Sequence, residues 1–334
     1  MTLGQSVGLS DTGRKRRHNE DSYVMQPPLF AVADGMGGAQ AGEIASRLAT
    51  EAIEHKGGTD GGIELVTALV QAANRRVYDR ARQETQLSGM GTTMTVALVE
   101  DAAVSIAHVG DSRAYLIRDG TLQQVTEDHS LVNELMKSGK LSREEAEHHP
   151  QRSVITRALG TDPDVDIDTY TIEPQPGDLF LLCSDGLTSM VGDETILEIA
   201  EQNRLDLDEA ARALIGRANR GGGEDNITVI FFDIADEGAN ASGSRARPRT
   251  PVERPTLPEE EDTLSGLERV RAVDTMIVPV EHIAREATAQ PPPGAPVVVA
   301  PDRSGGNGRR VLVTLAVLVV VAVVVALLIW GLAL

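Results

Sequence analysis

Between Leu3 and Ile234 short apolar runs rich in β-formers alternate with stretches of helical period, and Gly, Asp and Pro separate them. TTMTVALV (92–99), VSIAHVG (104–110), RAYLIR (113–118) and TLQQV (121–125) read as successive strands, with Asp119-Gly120 as a hairpin turn. Their short connections imply antiparallel neighbours. LFAVAD (29–34) supplies an earlier strand, and DLFLLCS (178–184) and ITVIFF (227–232) supply later ones. Helical patterning covers 42–54 and 63–84, then returns at 206–218. Helices beside antiparallel sheets make an α+β domain over residues 1–235.

After Ala235 the pattern dissolves. Residues 236–308 hold ARPRTPVERPTLPEEED, AQPPPGAPVV and DRSGGNG, which bury too little apolar surface to offset chain entropy, so a disordered linker is expected. Unstructured linker throughout is the favoured reading, with a transient helix or docking motif in the short amphipathic piece at 270–283 as the alternative. Residues 311–334 then run without a charge. At ~1.5 Å per residue they span roughly 36 Å, enough to cross a hydrocarbon core of roughly 30 Å. A soluble helix would need a polar face that this stretch lacks. Arg303, Arg309 and Arg310 precede it, so the positive-inside rule expects 309–334 to be a single-pass anchor with the preceding domain in the cytoplasm. The N-terminus lacks the apolar core of a signal peptide, in keeping with that orientation.

The net charge of −19 argues against nucleic-acid partners, whose phosphate backbone needs a basic surface. It suits carboxylates that hold cations. The only cysteine, Cys183, rules out an intrachain disulfide, and no Cys/His spacing fits structural zinc. Four acidic sites lie at strand ends or turns, where side chains can converge: Glu20-Asp21, Asp34-Gly35, Asp185-Gly186 and Asp225-Asn226. Hard cations such as Mg²⁺ or Mn²⁺ prefer this oxygen chemistry, and glycine beside an Asp lets a carbonyl approach a metal. An Asp-Gly pair is equally the sequence of a hairpin turn, and each Asp taken alone reads as a turn or cap.

Together these motifs resemble the metal-dependent protein phosphatases, the protein phosphatase 2C-like enzymes, in their bacterial form. DTGRKRRHNED (11–21), DGMGG (34–38), GMGTT (89–93), GDSRAY (110–115), HPQRSVITRALG (149–160), SDGL (184–187) and DNIT (225–228) occur in the family's order. The resemblance covers 1–235. It implies a four-layer sandwich of two antiparallel sheets flanked by helices, with a flap near Leu131–Arg157. It makes Asp34 the bridging ligand of two Mn²⁺ or Mg²⁺ ions, with the Gly35 carbonyl on one ion and Asp185 and Asp225 on the other. Glu20 and Asp21 would act at the second metal or its waters, Asp111 at a third, weaker ion, and Arg16 on the substrate phosphate.

The implied reaction is hydrolysis of phosphoserine and phosphothreonine in proteins by a hydroxide bridging two metals, with Arg16 neutralising phosphoryl charge. Cys183 is then a bystander. Two departures from the family pattern are Met36 and Ala39, where relatives carry histidine; His18 and a metal-bound water remain as sources of the leaving-group proton. The expected partners are phosphoproteins, a membrane serine/threonine kinase among them, and the catalytic domain is expected to be monomeric. A catalytically dead scaffold and a two-metal phosphodiesterase are the rival readings. The intact set Asp34, Asp185 and Asp225 disfavours the first, and the acidic composition disfavours the second.

Overall fold

The computed structural model describes residues 1–37, 41–54, 61–100, 102–147, 149–236 and 276–277. The anchor at 309–334, Gly38 and Ala39 lie outside the described residues, as does the linker apart from Asp236 and residues 276–277. Among the described residues no helix is long and apolar enough to cross a membrane.

In chain order the strands are β1 (Thr2–Asp11), β2 (Asp21–Gln26), β3 (Leu29–Met36), β4 (Gly91–Thr92), β5 (Met94–Val99), β6 (Val104–Val109), β7 (Arg113–Arg118), β8 (Thr121–Gln124), β9 (Val154–Ile155), β10 (Asp168–Ile172), β11 (Leu179–Cys183), β12 (Ile227–Ala235) and β13 (Met276–Ile277). The helices are α1 (Ala41–Glu54), α2 (Gly62–Gln83), α3 (Leu131–Lys137), α4 (Arg143–Glu147), α5 (Asp185–Thr188), α6 (Asp193–Gln202) and α7 (Leu207–Gly221). One sheet has the order β1-β12-β11-β7-β8 and the other β10-β6-β5-β3-β2, with all of these pairs antiparallel.

The period of two along a strand explains how four layers stack. In β3, Phe30 and Val32 point between the sheets, whereas Ala31 and Ala33 pack under α1 and α2. In β12, Ile230 and Phe232 face the other sheet, whereas Val229 and Phe231 pack under α6 and α7. Because both faces are covered, the central strands read as unbroken apolar runs. Stacked rings of Phe30 and Phe232, with centroids 4.6 Å apart, join the sheets at the centre, and Phe180 stacks on Phe232 from the adjacent strand of the same sheet at 5.0 Å. The expected four-layer sandwich is therefore present.

The run of neighbouring strands expected from 92 to 125 is broken at its middle. β5 and β6 pair within one sheet, β7 and β8 within the other, and the chain crosses between them at Gly110–Ser112. Gly110 makes the crossing with φ +114°, and a Cβ there would lie 2.6 Å from the Thr93 side chain. The crossing carries Asp111 to the sheet ends. Asp119-Gly120 is a hairpin turn as expected, with φ of 51° and 71°.

The flap segment forms α3, α4 and β9. It is rooted by a bridge between Ser130 and Ile155 and by packing of Ile155 and Ala158 on Met36. Within the amphipathic piece at 270–283, the described residues Met276 and Ile277 are strand and not helix. They pair in parallel with Val154 and Ile155 of the flap.

Candidate metal centre and phosphate site

The candidate carboxylates sit at strand ends, as the spacing implied. Asp21 opens β2 and Asp34 lies near the end of β3, where the two are register partners. Asp111 follows β6, Asp185 follows β11 and begins α5, and Asp225 precedes β12. Glu20 adjoins Asp21, half-buried.

Backbone and hydroxyl contacts hold this array. The Asp34 N–H donates to Thr93 Oγ1 at 2.9 Å, and its carbonyl accepts from the Thr93 N–H and the Thr92 hydroxyl, each at 2.9 Å. Thr93 Oγ1 in turn shares a 2.7 Å hydrogen bond with Ser112 Oγ, which joins GMGTT to GDSRAY. Asp21 Oδ2 accepts from Ser184 Oγ at 2.8 Å and from Thr228 Oγ1 at 2.6 Å. The glycines of two Asp-Gly pairs are required by packing. A Cβ on Gly35 would lie 2.1 Å from the Gly42 carbonyl oxygen, and one on Gly186 would lie 2.0 Å from that of Asn226.

Asn226 ties the first motif to the last. Its Oδ1 accepts from the Glu20 N–H at 2.8 Å, and its Nδ2 donates to the carbonyls of Thr12 and His18 at 3.0 Å each. Asn226, Ser184, Thr228, Thr93 and Ser112 lie within the motifs quoted from sequence but were given no role there. A trace of them was present: Ser184 and Thr228 are hydroxyls within otherwise apolar runs, and a buried hydroxyl needs a partner.

Burial raises the Asp34 and Asp111 carboxyls well above the usual range, and neighbouring carboxylates add to it. Asp21 is pushed up to about 7 by burial, against the pull of its two hydroxyl partners and with Asp185 and Asp225 pushing further. Asp185 is pushed up to about 6 by burial and by Asp225. Asp21 Oδ1 and Asp185 Oδ1 are buried without a hydrogen-bond partner among the described residues.

No three His, Cys, Asp or Glu side chains among the described residues stand close enough to hold an ion as placed. The donor set nonetheless fits hard cations. Mutually repelling buried carboxylates with two orphaned oxygens are what a divalent ion would neutralise.

Arg16 is the cation of the array. Its Nη2 lies 2.8 Å from Asp225 Oδ2 and its Nη1 3.8 Å from Glu20 Oε2. Burial works against the guanidinium charge, but Asp225, with Glu20 and Asp34, outweighs it and raises the pKa. The His18 side chain is exposed, and only its carbonyl is engaged by Asn226. Met36 is buried against Ile155 and Ala158, so this departure from histidine serves the flap root. Cys183 is fully buried in β11 and its thiol is pushed up to about 12 by burial, which excludes a thiolate nucleophile near neutral pH.

The protein phosphatase 2C family model matches residues 14–218. The serine/threonine phosphatase stp of Listeria monocytogenes serovar 1/2a is 42% identical over 247 residues, covering 70% of this chain and 98% of that protein. Among solved structures, the Mycobacterium tuberculosis serine/threonine phosphatase PstP/Ppp matches with a TM-score of 0.67 and 41% identity, over 70% of this chain and 100% of that one. The catalytic domain of PstP in complex with two manganese ions matches with a TM-score of 0.64 and 40% identity, over 70% and 99%.

Proposed function

The chain belongs to the protein phosphatase 2C family of metal-dependent serine/threonine phosphatases, and from that premise we propose how its own residues divide the work of hydrolysing phosphoserine and phosphothreonine in proteins. The observation that carries the assignment is the placing of Asp21, Asp34, Asp111, Asp185 and Asp225 at strand ends of the two sheets, with Asp21 and Asp34 opposite one another in register and Arg16 paired with Asp225. Asp34, the Gly35 carbonyl, Asp185 and Asp225 would hold the two core ions. Asp21 and Glu20 would act beside them, and Asp111 would hold a peripheral third. When bound, Mn²⁺ or Mg²⁺ supplies Lewis acidity, lowering the pKa of a shared water and neutralising phosphoryl charge.

The protein's part is to orient and neutralise. Arg16, held by Asp225, presents a guanidinium that can take two phosphate oxygens. Ser184 and Thr228 keep Asp21 Oδ2 occupied and leave the buried Oδ1 without a hydrogen-bond partner among the described residues. Met36 leaves no imidazole at its position to protonate the departing serine or threonine oxygen, so that proton comes from solvent or from His18 at the rim. The array Asp34, Asp185 and Asp225 is complete, which favours an active enzyme over a scaffold. Activity on a phosphothreonine peptide should require added Mn²⁺ or Mg²⁺ and vanish in chelator, and full activity without metal would refute the reading.

We further infer that residues 309–334 anchor the domain to the cell membrane with the catalytic side in the cytoplasm. The support is the charge-free run 311–334 behind Arg309 and Arg310. Tethering would concentrate the enzyme on membrane phosphoproteins, a membrane serine/threonine kinase among them, without altering turnover.

A further inference from the structure

The phosphate-binding Arg16 is one member of the run Arg14-Lys15-Arg16-Arg17. The structure separates its roles. Arg16 is turned into the array, whereas Arg14, Lys15 and Arg17 are exposed, and none of the three forms an ion pair with a described residue. Three uncompensated cations beside the site are a local inversion of charge in a chain that carries −19.

The loop that bears them is built and not loose. Asn226 Nδ2 bonds the carbonyls of Thr12 and His18, clasping both of its ends. The Arg14 and Lys15 N–H groups both donate to the Gly223 carbonyl, at 2.7 and 3.1 Å. Gly13 turns with φ +79°, and a Cβ there would lie 2.2 Å from the Asp225 carbonyl oxygen. The same backbone that carries Asp225 therefore fixes where the basic side chains emerge, at a constant offset from the phosphate position.

We propose that Arg14, Lys15 and Arg17 form a recognition rim that selects phosphopeptides with acidic residues flanking the phosphoserine or phosphothreonine. The inference rests on the phosphatase reading above and adds the substrate class. A flank bound to the rim is held outside the metal array, so the rim acts on encounter and affinity, not on the hydrolytic step. Interactions of this exposed kind are screened by salt within about 10 Å at 0.1 M ionic strength. Selectivity should therefore be greatest in dilute buffer.

The test compares the full chain with an Arg14→Gln/Lys15→Gln/Arg17→Gln variant on three substrates in Mn²⁺: p-nitrophenyl phosphate, a phosphothreonine peptide with acidic flanks, and the same peptide with glutamine flanks. Fluorescence anisotropy of both labelled peptides is measured in parallel. Turnover of p-nitrophenyl phosphate and the thermal midpoint should be unchanged. KM and Kd for the acidic peptide should rise about five- to tenfold at low salt, with kcat constant and the glutamine peptide moving less than about twofold. Added salt should erase the difference. Equal losses on both peptides, or no loss on the acidic one, would overturn the rim. If wild type turned over none of the three substrates, the phosphatase reading would fall instead, and anisotropy alone would decide whether the rim selects acidic flanks.

Discussion

Asp21 and Asp34 stand directly opposite one another in the antiparallel ladder between β2 and β3. Like charges in register oppose pairing of strands, and here both carboxyls are withdrawn from water. The fold tolerates the arrangement in two ways: by protonating the carboxyls, or by placing cations between them and their neighbours. This relationship sets how the protein should respond to pH and metal.

Without metal, stability should fall as pH rises. Asp21 and Asp185 are pushed up to about 7 and about 6 in the folded chain, above the value near 3.9 of an unfolded aspartate. The folded state therefore binds more protons between these limits, so its advantage is full below about pH 4 and lost as pH climbs through about 6 to 7. Thermal midpoints in chelator should decrease from pH 5 to pH 8 once other titrations are subtracted using an Asp21→Asn variant. Saturating Mn²⁺ should reverse the trend, because the ions compete with protons for these oxygens. A metal-free midpoint that rises with pH, and does so equally in the variant, would contradict this account.

Asn226→Ala should cost about 1–3 kcal/mol in urea unfolding, because it strands the Glu20 N–H and the carbonyls of Thr12 and His18. It should also weaken Mn²⁺ binding by about 10- to 100-fold, since the Glu20 backbone and the loop from Thr12 to His18 that carries Arg16 lose their common brace. Normal metal affinity in a destabilised variant would confine Asn226 to folding.

Ile155→Ala should loosen the flap at its root by emptying the contact with Met36 and Ala158. A cost of about 2–4 kcal/mol is expected for an aliphatic truncation of this burial. Steady-state kinetics should show KM for phosphopeptide rising while p-nitrophenyl phosphate turnover holds. Loss of turnover on both substrates would mean that Ile155 supports the metal loop through Met36 instead.

Deleting 309–334 should move the protein from the membrane fraction to the soluble one. Peptide hydrolysis should be preserved and dephosphorylation of membrane-embedded targets in cells slowed. An unchanged distribution between fractions would remove the anchor from the account.

The sequence made the placing of the candidate carboxylates legible because each Asp marks a strand end: Asp34 after LFAVA, Asp185 after DLFLLCS, Asp225 before ITVIFF. Layering followed from the same strands, whose apolar runs reflect burial on both faces. What stayed hidden was non-local. Thr228 reaches Asp21 across 207 positions and Asn226 reaches Glu20 across 206, distances at which no periodicity carries information. The crossing at Gly110 was hidden for another reason. A short connection between two strands looks the same whether it closes a hairpin or changes sheets, and only the φ of +114° and the crowding by Thr93 decide. For Gly35 and Gly186, the crowding of backbone that leaves no room for a Cβ was a further non-local feature the sequence did not carry.

The most direct measurement of the central claim is a calorimetric Mn²⁺ titration of the full chain and of Asp34→Asn, with phosphothreonine-peptide turnover recorded on the same samples. A carboxylate shared by two ions predicts that the wild type binds two core ions, and that the variant loses tight binding together with at least about a hundredfold of turnover. Asp34→Asn that binds Mn²⁺ like the wild type, or that turns over the peptide at the wild-type rate, would contradict the two-metal assignment.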